Sequence, residues 1–347
     1  MKILHREFLP TTTSSVHAAT VAMHKDHPVF SWFGGSREGS PDVAIYLYNL
    51  NNDQNQIIIG DNDNMPRWNP ILCPIPNAGN TDQKLYLFTK AGAFCDRWQT
   101  FIHDITNWES DISHEYMAKD TEFLPAGLNG PVKTAPILVD INSLLCGSAV
   151  ETFHDWASYI EEYNVDRKNM SFKFAFRSNP LFVKEKLRYN SISGRQRLTT
   201  GIIQPALFEH DECLHAFFRA STGLGKIYYS RPNILGDWQD PVPTPFDNPN
   251  SGVDVATVAD RVFLVHNPSP TLRKPLVISE VNVSKEKRAS EFKIKNSIVI
   301  REEVGDEART HSKELSYPYM IADKDGTLHL VYTYGRSKIE YCQISID

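Results

Sequence analysis

The chain has 347 residues, of which 41% are hydrophobic and 22% are charged, and its formal net charge is −6 at pH 7. This composition is typical of a soluble globular protein, and the negative charge argues against nucleic acid or an anionic membrane surface as a partner. No segment approaches the roughly 18 consecutive apolar residues that a membrane-spanning helix requires.

The five cysteines are odd in number and scattered, with no CxxC pair. This pattern favours reduced, buried thiols over a disulfide framework or a zinc site. The N-terminal residues Met1–Glu7 contain no apolar stretch of the kind found in signal peptides, which predicts a cytoplasmic protein. We expect neither a metal nor a cofactor.

The first informative segment lies near the N-terminus. An apolar run, Val29 to Phe33, ends in two glycines, which are followed by Arg37 and Glu38, with Asp42 at the start of the next apolar run. Charged residues at such a strand end usually face a cleft, where the planar guanidinium of Arg37 can hold a carboxylate through two hydrogen bonds. The alternative is a surface salt bridge beside a hairpin.

Short apolar or alternating runs bounded by Gly, Pro, Asn and Asp then recur along the chain. Residues 151–170 are the best candidate for a helical turn. The recurrent runs predict an all-β sandwich, barrel or propeller, and they are Lys84–Phe88, Ala135–Val139, Ser171–Phe176, Leu214–Arg219, Lys226–Ser230, Arg261–His266, Leu276–Val281, Leu328–Tyr334 and Ile339–Ile344.

A degenerate repeat favours the propeller. Several units end in tryptophan, and Ser230–Trp238 resembles the Asp box, a hairpin of bacterial neuraminidase repeats. Repeats spaced by roughly 40–50 residues are typical of propellers, so the chain length predicts about six blades. Nothing resembling a linker divides the chain, and we expect a single domain over residues 1–347.

Polar residues recur at the junctions into the short apolar runs, about once per predicted blade. Ligands of propellers bind where the innermost strands end, so these residues are candidates for one shared site. Each alone is also explained as a turn former or a strand start. They include Asn69, Asn129, Lys133, Glu151, Gln204, Arg219, Asn250, Asp254, Arg273 and Glu314.

Together, the segments His17–Tyr48, Asn129–Pro136, Ile203–Leu207, Asn248–Asp254 and Ser316–Pro318 resemble the sialidase superfamily, in particular its BNR-repeat, neuraminidase-like branch. That resemblance implies a six-bladed β-propeller with three arginines that hold a substrate carboxylate. By order and spacing these are Arg37, Arg219 and Arg273, with Arg336 as a substitute for Arg273. The resemblance also implies Tyr317 as nucleophile and Asp42, or else Glu38, as acid.

Two features depart from the family pattern. Gln204 stands where a glutamate that activates the tyrosine is expected, and an amide cannot accept the proton of Tyr317. Either Glu151 or Glu314 would then have to serve. The chain also carries His17 and Lys133 in motifs that ordinary sialidases lack.

Three functions follow as hypotheses. The first is an exo-glycosidase that releases a terminal carboxylated sugar, such as sialic acid or a related nonulosonate. The second is a polysaccharide lyase acting at a uronic acid, in which arginines or Lys133 neutralise the carboxylate and His17 or Tyr317 removes the proton. The third, suggested by Gln204, is a propeller that binds acidic glycans without catalysis.

Overall fold

The structure, a computed structural model, describes residues 1–50, 54–59, 64–76, 83–108, 121–140, 142–152, 155–166, 171–184, 200–306 and 312–347. These residues form twenty-four β-strands and two single-turn 3₁₀ helices, Cys95–Arg97 and Ala289–Glu291, and none of them lies in an α-helix. The all-β class predicted from the sequence is therefore confirmed.

The first twelve strands are β1 (Lys2–Phe8), β2 (Ser15–His24), β3 (His27–Gly35), β4 (Ala44–Asn49), β5 (Gln54–Ile59), β6 (Arg67–Pro76), β7 (Gln83–Ala91), β8 (Gln99–Asp104), β9 (Thr121–Phe123), β10 (Ile137–Leu138), β11 (Ser143–Glu151) and β12 (Asp155–Asp166). The remaining strands are β13 (Ser171–Arg177), β14 (Thr200–His210), β15 (Cys213–Ala220), β16 (Lys226–Ser230), β17 (Val242–Asp247), β18 (Asp254–Val258), β19 (Arg261–His266), β20 (Leu276–Val281), β21 (Ile294–Arg301), β22 (Leu315–Ala322), β23 (Leu328–Tyr334) and β24 (Lys338–Ser345).

The strands pair mainly with their neighbours in sequence. Four sheets have four antiparallel strands each: β2–β5, β6–β9, β18–β21, and β22–β24 with β1. The fifth sheet has eight strands, in which an antiparallel set β10–β13 joins another set, β14–β17. The joint is a short parallel pairing of Asp155 with Thr200 and of Trp156 with Gly201.

The two ends of the chain meet in one sheet, because β1 pairs antiparallel with β24 along Lys2–Phe8. Consecutive sheets touch through their first strands: β2 contacts both β6 and β22, and β18 contacts both β14 and β22. The first strands of several sheets are therefore neighbours in space although they are far apart in sequence.

Burial is greatest in middle strands of the sheets and least at an outer edge. All residues of β4 and β23 are buried, which explains their nearly continuous apolar sequences, whereas most of β21 at a sheet edge is exposed. One large core cluster spans several sheets and contains Trp32, Tyr86, Tyr163, Tyr319 and Tyr341. Burial between sheets is thus what holds the units together.

Four first strands share the same irregularity. The register shifts after His17 in β2, after Trp68 in β6, after Ile203 in β14 and after Ser316 in β22. Each shift contains one residue with a left-handed backbone. These residues are Ala18, Asn69, Gln204 and Tyr317, and the last three precede a proline. A bulge of this kind bends the strand and redirects its side chains.

The expectation of a helical turn in residues 151–170 is wrong, because Asp155–Asp166 forms β12. This strand pairs along nine residues with β11 and is covered on its other edge by β13, so tertiary pairing overrides local propensity. The hairpin Ser230–Trp238 is present, but Asn233 ties its turn: Asn233 Oδ1 accepts the N–H groups of Leu235 and Asp237.

Candidate active site

Gln204 and Tyr317 face each other from the bulges of β14 and β22. Their φ angles are 56° and 51°, a left-handed conformation that costs energy for any residue with a Cβ. The proline that follows each of them has no N–H to offer the strand ladder, which suits an interrupted pairing. The strained backbone at both positions is thus tied to the placement of two polar side chains.

The hydroxyl of Tyr317 accepts two hydrogen bonds. Gln204 Nε2 donates to Tyr317 Oη at 2.9 Å, and Arg219 Nη1 donates to the same oxygen at 3.0 Å. Arg219 Nη1 also donates to Gln204 Oε1 at 3.1 Å. Because a guanidinium can only donate, this contact orients the amide so that its nitrogen faces the tyrosine. The tyrosine's own proton is left to point away from both groups.

Three arginines converge beside Tyr317. Arg219 Nε donates to Asn250 Oδ1 at 2.8 Å, and Arg273 Nη2 donates to the main-chain oxygen of Asn250 at 2.8 Å. Glu314 joins Arg273 to Arg336, since its two oxygens lie 3.1 Å from Arg273 Nη1 and 2.5 Å from Arg336 Nε. The three arginines Arg219, Arg273 and Arg336, each more than 50 positions from the next in sequence, are thereby held in one cluster.

The charges in this cluster are unevenly paired. Burial opposes ionisation of Glu314, but Arg336 and Arg273 hold its pKa below the ordinary value, so it stays anionic. Arg336 also donates to Glu38. In contrast, Arg219 is buried and forms hydrogen bonds only with neutral groups among the described residues. Arg219 is therefore a buried cation without a hydrogen-bonded carboxylate.

His17 lies beneath the tyrosine. Its ring centroid is 4.2 Å from that of Tyr317, it packs edge-on against Phe33, and within the described parts of the chain neither ring nitrogen has a hydrogen-bond partner. Burial lowers the pKa of His17 well below its ordinary value, and the charges of Arg336, Arg273, Arg219 and Lys133 lower it further. The imidazole is therefore neutral near pH 7.

Lys133 and Asp254 are buried at the base of the site. Lys133 Nζ donates to the main-chain oxygens of Val253, at 3.1 Å, and Pro318. Burial lowers the pKa of Lys133 to about 8, and burial raises the pKa of Asp254 to about 6. The bond to Pro318 fixes the residue that follows Tyr317, so Lys133 acts here as a support of the bulge.

The structure does not bring Arg37 or Asp42 to the cluster. Arg37 is exposed, and the third arginine of the cluster is instead Arg336, which was expected only as a substitute for Arg273. Asp42 accepts the side-chain and main-chain donors of Ser36 at 2.8 and 2.7 Å, which lower its pKa. Asp42 therefore closes the exposed turn 36–42, and of the two expected acids only Glu38 reaches the arginines.

Glu151 is the last residue of β11, and its carboxyl group interacts electrostatically with Arg219. It pairs across the strands with Trp156, whose ring lies 5.6 Å from the Arg219 guanidinium carbon. Burial raises the pKa of Glu151 and the charge of Glu38 raises it too, while Arg219 opposes both. Among the described residues, no hydrogen bond to its carboxylate is found.

Two residues that contribute to the arginine cluster were not among the predicted site residues. Trp156 packs on Arg219, and Ser316 Oγ donates to Glu314 Oε1 at 2.7 Å. Trp156 lies inside the segment that was expected to be helical, and Ser316 directly precedes Tyr317 in a motif already singled out. Its position next to the tyrosine was the available signal.

Two general features of the described residues bear on function. No group of three or more His, Cys, Asp or Glu side chains in the described ranges is placed to hold a metal ion. No helix within those ranges has the length and apolar character needed to cross a membrane.

The profile of one protein family, the BNR repeat-like domain, matches residues 27–330 of the chain. The match covers most of the sequence and confirms the resemblance to the BNR branch of the sialidase superfamily. No sequence among curated proteins matches the chain significantly.

Solved structures with the same fold share little sequence with the chain. A protein of unknown function from Dyadobacter fermentans has a TM-score of 0.69 at 12% identity, with 100% of this chain and 99% of that one covered. The N10 neuraminidase-like protein of influenza A from a little yellow-shouldered bat has a TM-score of 0.56 at 10% identity, with 99% of each chain covered. Trypanosoma rangeli sialidase, solved with the inhibitor DANA, has a TM-score of 0.58 at 12% identity, with 96% of this chain and 55% of the sialidase covered.

Proposed function

Since this chain belongs to the BNR repeat-like domain family, we propose that it is a glycoside hydrolase that releases a terminal carboxylated sugar from a glycan. Sialic acid and related nonulosonates are the substrate class. The sugar carboxylate binds between Arg219, Arg273 and Arg336, in the manner of planar guanidinium groups with carboxylates.

The main support for this proposal is that Arg219 has no anionic hydrogen-bond partner among the described residues. A buried charge is costly unless it is paired, yet the three hydrogen-bond partners of Arg219 are all neutral. An anionic ligand supplies the missing charge. The positive charge of Arg273 is also incompletely balanced, because burial and the neighbouring Arg219 lower its pKa despite the contact with Glu314.

In this proposal, Tyr317 acts at the anomeric carbon, where the glycosidic bond breaks. With the carboxylate held by the arginines, the anomeric carbon that bears it lies near the tyrosine that Arg219 contacts. A neutral phenol avoids the repulsion that an aspartate or glutamate nucleophile would meet from the substrate's own carboxylate. Tyr317 either attacks this carbon or shields the positive charge that develops on it.

The fold supports a shared central site. We propose six four-stranded blades, β2–β5, β6–β9, β10–β13, β14–β17, β18–β21 and β22–β24 with β1, in a single propeller domain over residues 1–347. The contacts between first strands and the pairing of β1 with β24 support a closed ring. Gln204 and Tyr317 then meet at its centre from the fourth and sixth blades.

Proton NMR tests the proposal directly. The purified chain is incubated with sialosides, other nonulosonate glycosides and uronate-containing oligosaccharides. We expect a released nonulosonate in the reaction of the wild type and its loss in Arg219→Met, with Arg231→Met, outside the cluster, as the matched control. A product released equally fast by Arg219→Met would contradict the proposal.

One observation favours the lyase as a second candidate. His17 is neutral, and neither of its ring nitrogens has a partner among the described residues, so its unprotonated nitrogen presents a lone pair beside the arginines. In that reaction the arginines neutralise a uronate carboxylate and His17 or Tyr317 removes the adjacent proton. The product is an unsaturated uronate, recognised by a vinylic proton and a new ultraviolet absorbance in the same experiment.

A further inference from the structure

Breaking a glycosidic bond to another sugar requires a proton for the leaving oxygen, and the sequence assigned the role of proton donor to Asp42 or Glu38. The structure leaves neither suited to it. Asp42 is held by Ser36 in an exposed turn, and Glu38 is ion-paired with Arg336. The hydrogen bonds from Ser36 lower the pKa of Asp42 and favour its anionic form, while the Arg336 guanidinium occupies the carboxylate of Glu38.

The other carboxyl groups near the arginines can be compared in the same way. Glu314 contacts two arginines and Ser316, which keep it anionic. Asp254 is buried and accepts the main-chain N–H groups of Met320 and Val255, each at 2.9 Å, so both its oxygens are engaged away from the site. Neither is available to a leaving group.

Glu151 differs from all of them. It ends β11 beside Trp156, which packs on Arg219, and the 3₁₀ turn Cys95–Arg97 also contacts β11. The charged or titratable groups that act on it are Arg219, Glu38 and Cys95. Among described residues none donates a hydrogen bond to it, and burial with the nearby Glu38 favours its protonated form.

We propose that Glu151 is the proton donor to the leaving oxygen in the reaction at this site. The glycosidic C–O bond breaks, its electron pair stays with the leaving oxygen, and that oxygen takes the Glu151 proton. A water molecule then adds to the anomeric carbon and returns its proton to the Glu151 carboxylate. The inference rests on the proposed function only in that a glycosidic bond is cleaved.

The dependence on the leaving group tests this assignment. A poor leaving group such as the lactose of sialyllactose needs the proton, whereas 4-methylumbelliferone departs as an anion. We expect Glu151→Gln to slow sialyllactose cleavage about 100-fold or more and cleavage of the 4-methylumbelliferyl sialoside far less. The matched control is Glu162→Gln, a partly buried glutamate on β12 that contacts Ser143 outside the site. An equal loss on both substrates would overturn the assignment and indicate a structural role.

A second measurement does not depend on activity. In protein labelled with ¹³C at the glutamate carboxyl carbons, the resonance that disappears in Glu151→Gln should titrate above the ordinary glutamate range. A resonance that titrates at or below pH 4.5 would overturn the assignment even in the absence of a substrate. Failure of the wild type to cleave either sialoside, with a raised titration of Glu151, would instead count against sialic acid as the substrate.

Discussion

The amide nitrogen of Gln204 lies 2.9 Å from the hydroxyl oxygen of Tyr317, across two bulged strands that are 113 residues apart in sequence. Arg219 contacts both groups, so the three side chains form a closed triangle of hydrogen bonds. An amide in this position orients the tyrosine and donates to it, but cannot take its proton. Among the described residues, the arginine cluster therefore surrounds a tyrosine whose hydroxyl contacts an amide and a guanidinium but no carboxylate.

Tyr317→Phe tests whether the hydroxyl takes part in the chemistry. Phenylalanine keeps the contact with His17 and removes the hydroxyl to which Gln204 and Arg219 donate hydrogen bonds. We expect turnover to fall by about 100-fold or more while binding of the carboxylated sugar persists. Steady-state kinetics and calorimetric titration measure the two quantities separately. Unchanged turnover would exclude Tyr317 from the reaction.

Gln204→Glu tests the role of the amide. A carboxylate there can accept the proton of Tyr317 and form a charged contact with Arg219. We expect hydrolysis to accelerate by about 10-fold or more, whereas Gln204→Leu, which removes both polar contacts, should slow it. If Gln204→Glu were as slow as Gln204→Leu, the tyrosine would not need a base at this position.

His17→Phe tests the burial of a neutral imidazole among cations. The pKa of His17 in the folded protein lies well below 6.5, so the unfolded chain binds this proton first as the pH falls. The stabilising contribution of the neutral imidazole is therefore complete above pH 6.5 and is lost progressively as the pH falls below 6.5. Between pH 7 and 5, the wild type should lose about 2 kcal/mol more of its free energy of unfolding than His17→Phe.

Urea unfolding at the two pH values provides the comparison. His103, His215 and His266 have lowered pKa values as well, and they remain in both proteins, so the difference isolates His17. His27→Phe, at an exposed position, is the control and should follow the wild type. Parallel loss in wild type and His17→Phe would show that His17 is protonated in the folded state.

Lys133→Met tests whether the buried pair of Lys133 and Asp254 stabilises the fold beneath the site. The substitution leaves Asp254 buried without its nearby positive charge and frees the carbonyls of Val253 and Pro318. We expect the free energy of unfolding to fall by about 3 kcal/mol. Lys226→Met, which breaks the exposed pair with Asp247, should cost less than about 1 kcal/mol. Adding Asp254→Asn to Lys133→Met should restore part of the loss, and equal effects of both lysines would contradict this account.

The sequence was sufficient for the all-β class and for the residues of the strand junctions, because short apolar runs and Asn-Pro, Gln-Pro and Tyr-Pro pairs are local features. It also pointed to Arg219, Arg273, Tyr317 and Gln204 through their order. It misplaced Arg37 and Asp42, because the path of an exposed turn depends on contacts such as Ser36–Asp42 that carry no periodic signal. The pairing of Arg336 with Glu38 joins residues 298 positions apart, and only the meeting of the first and last sheets reveals it.

In the proposed function, the arginine cluster binds a sugar through its carboxylate, and this binding is the step from which the other roles follow. It is tested most directly by calorimetric titration of the wild type with N-acetylneuraminic acid and with its methyl ester, which replaces the carboxylate charge by a neutral ester group. We predict that the acid binds, that the ester binds at least 10-fold more weakly, and that Arg219→Met removes the difference. Equal affinity for acid and ester, or no binding of the acid, would contradict the account.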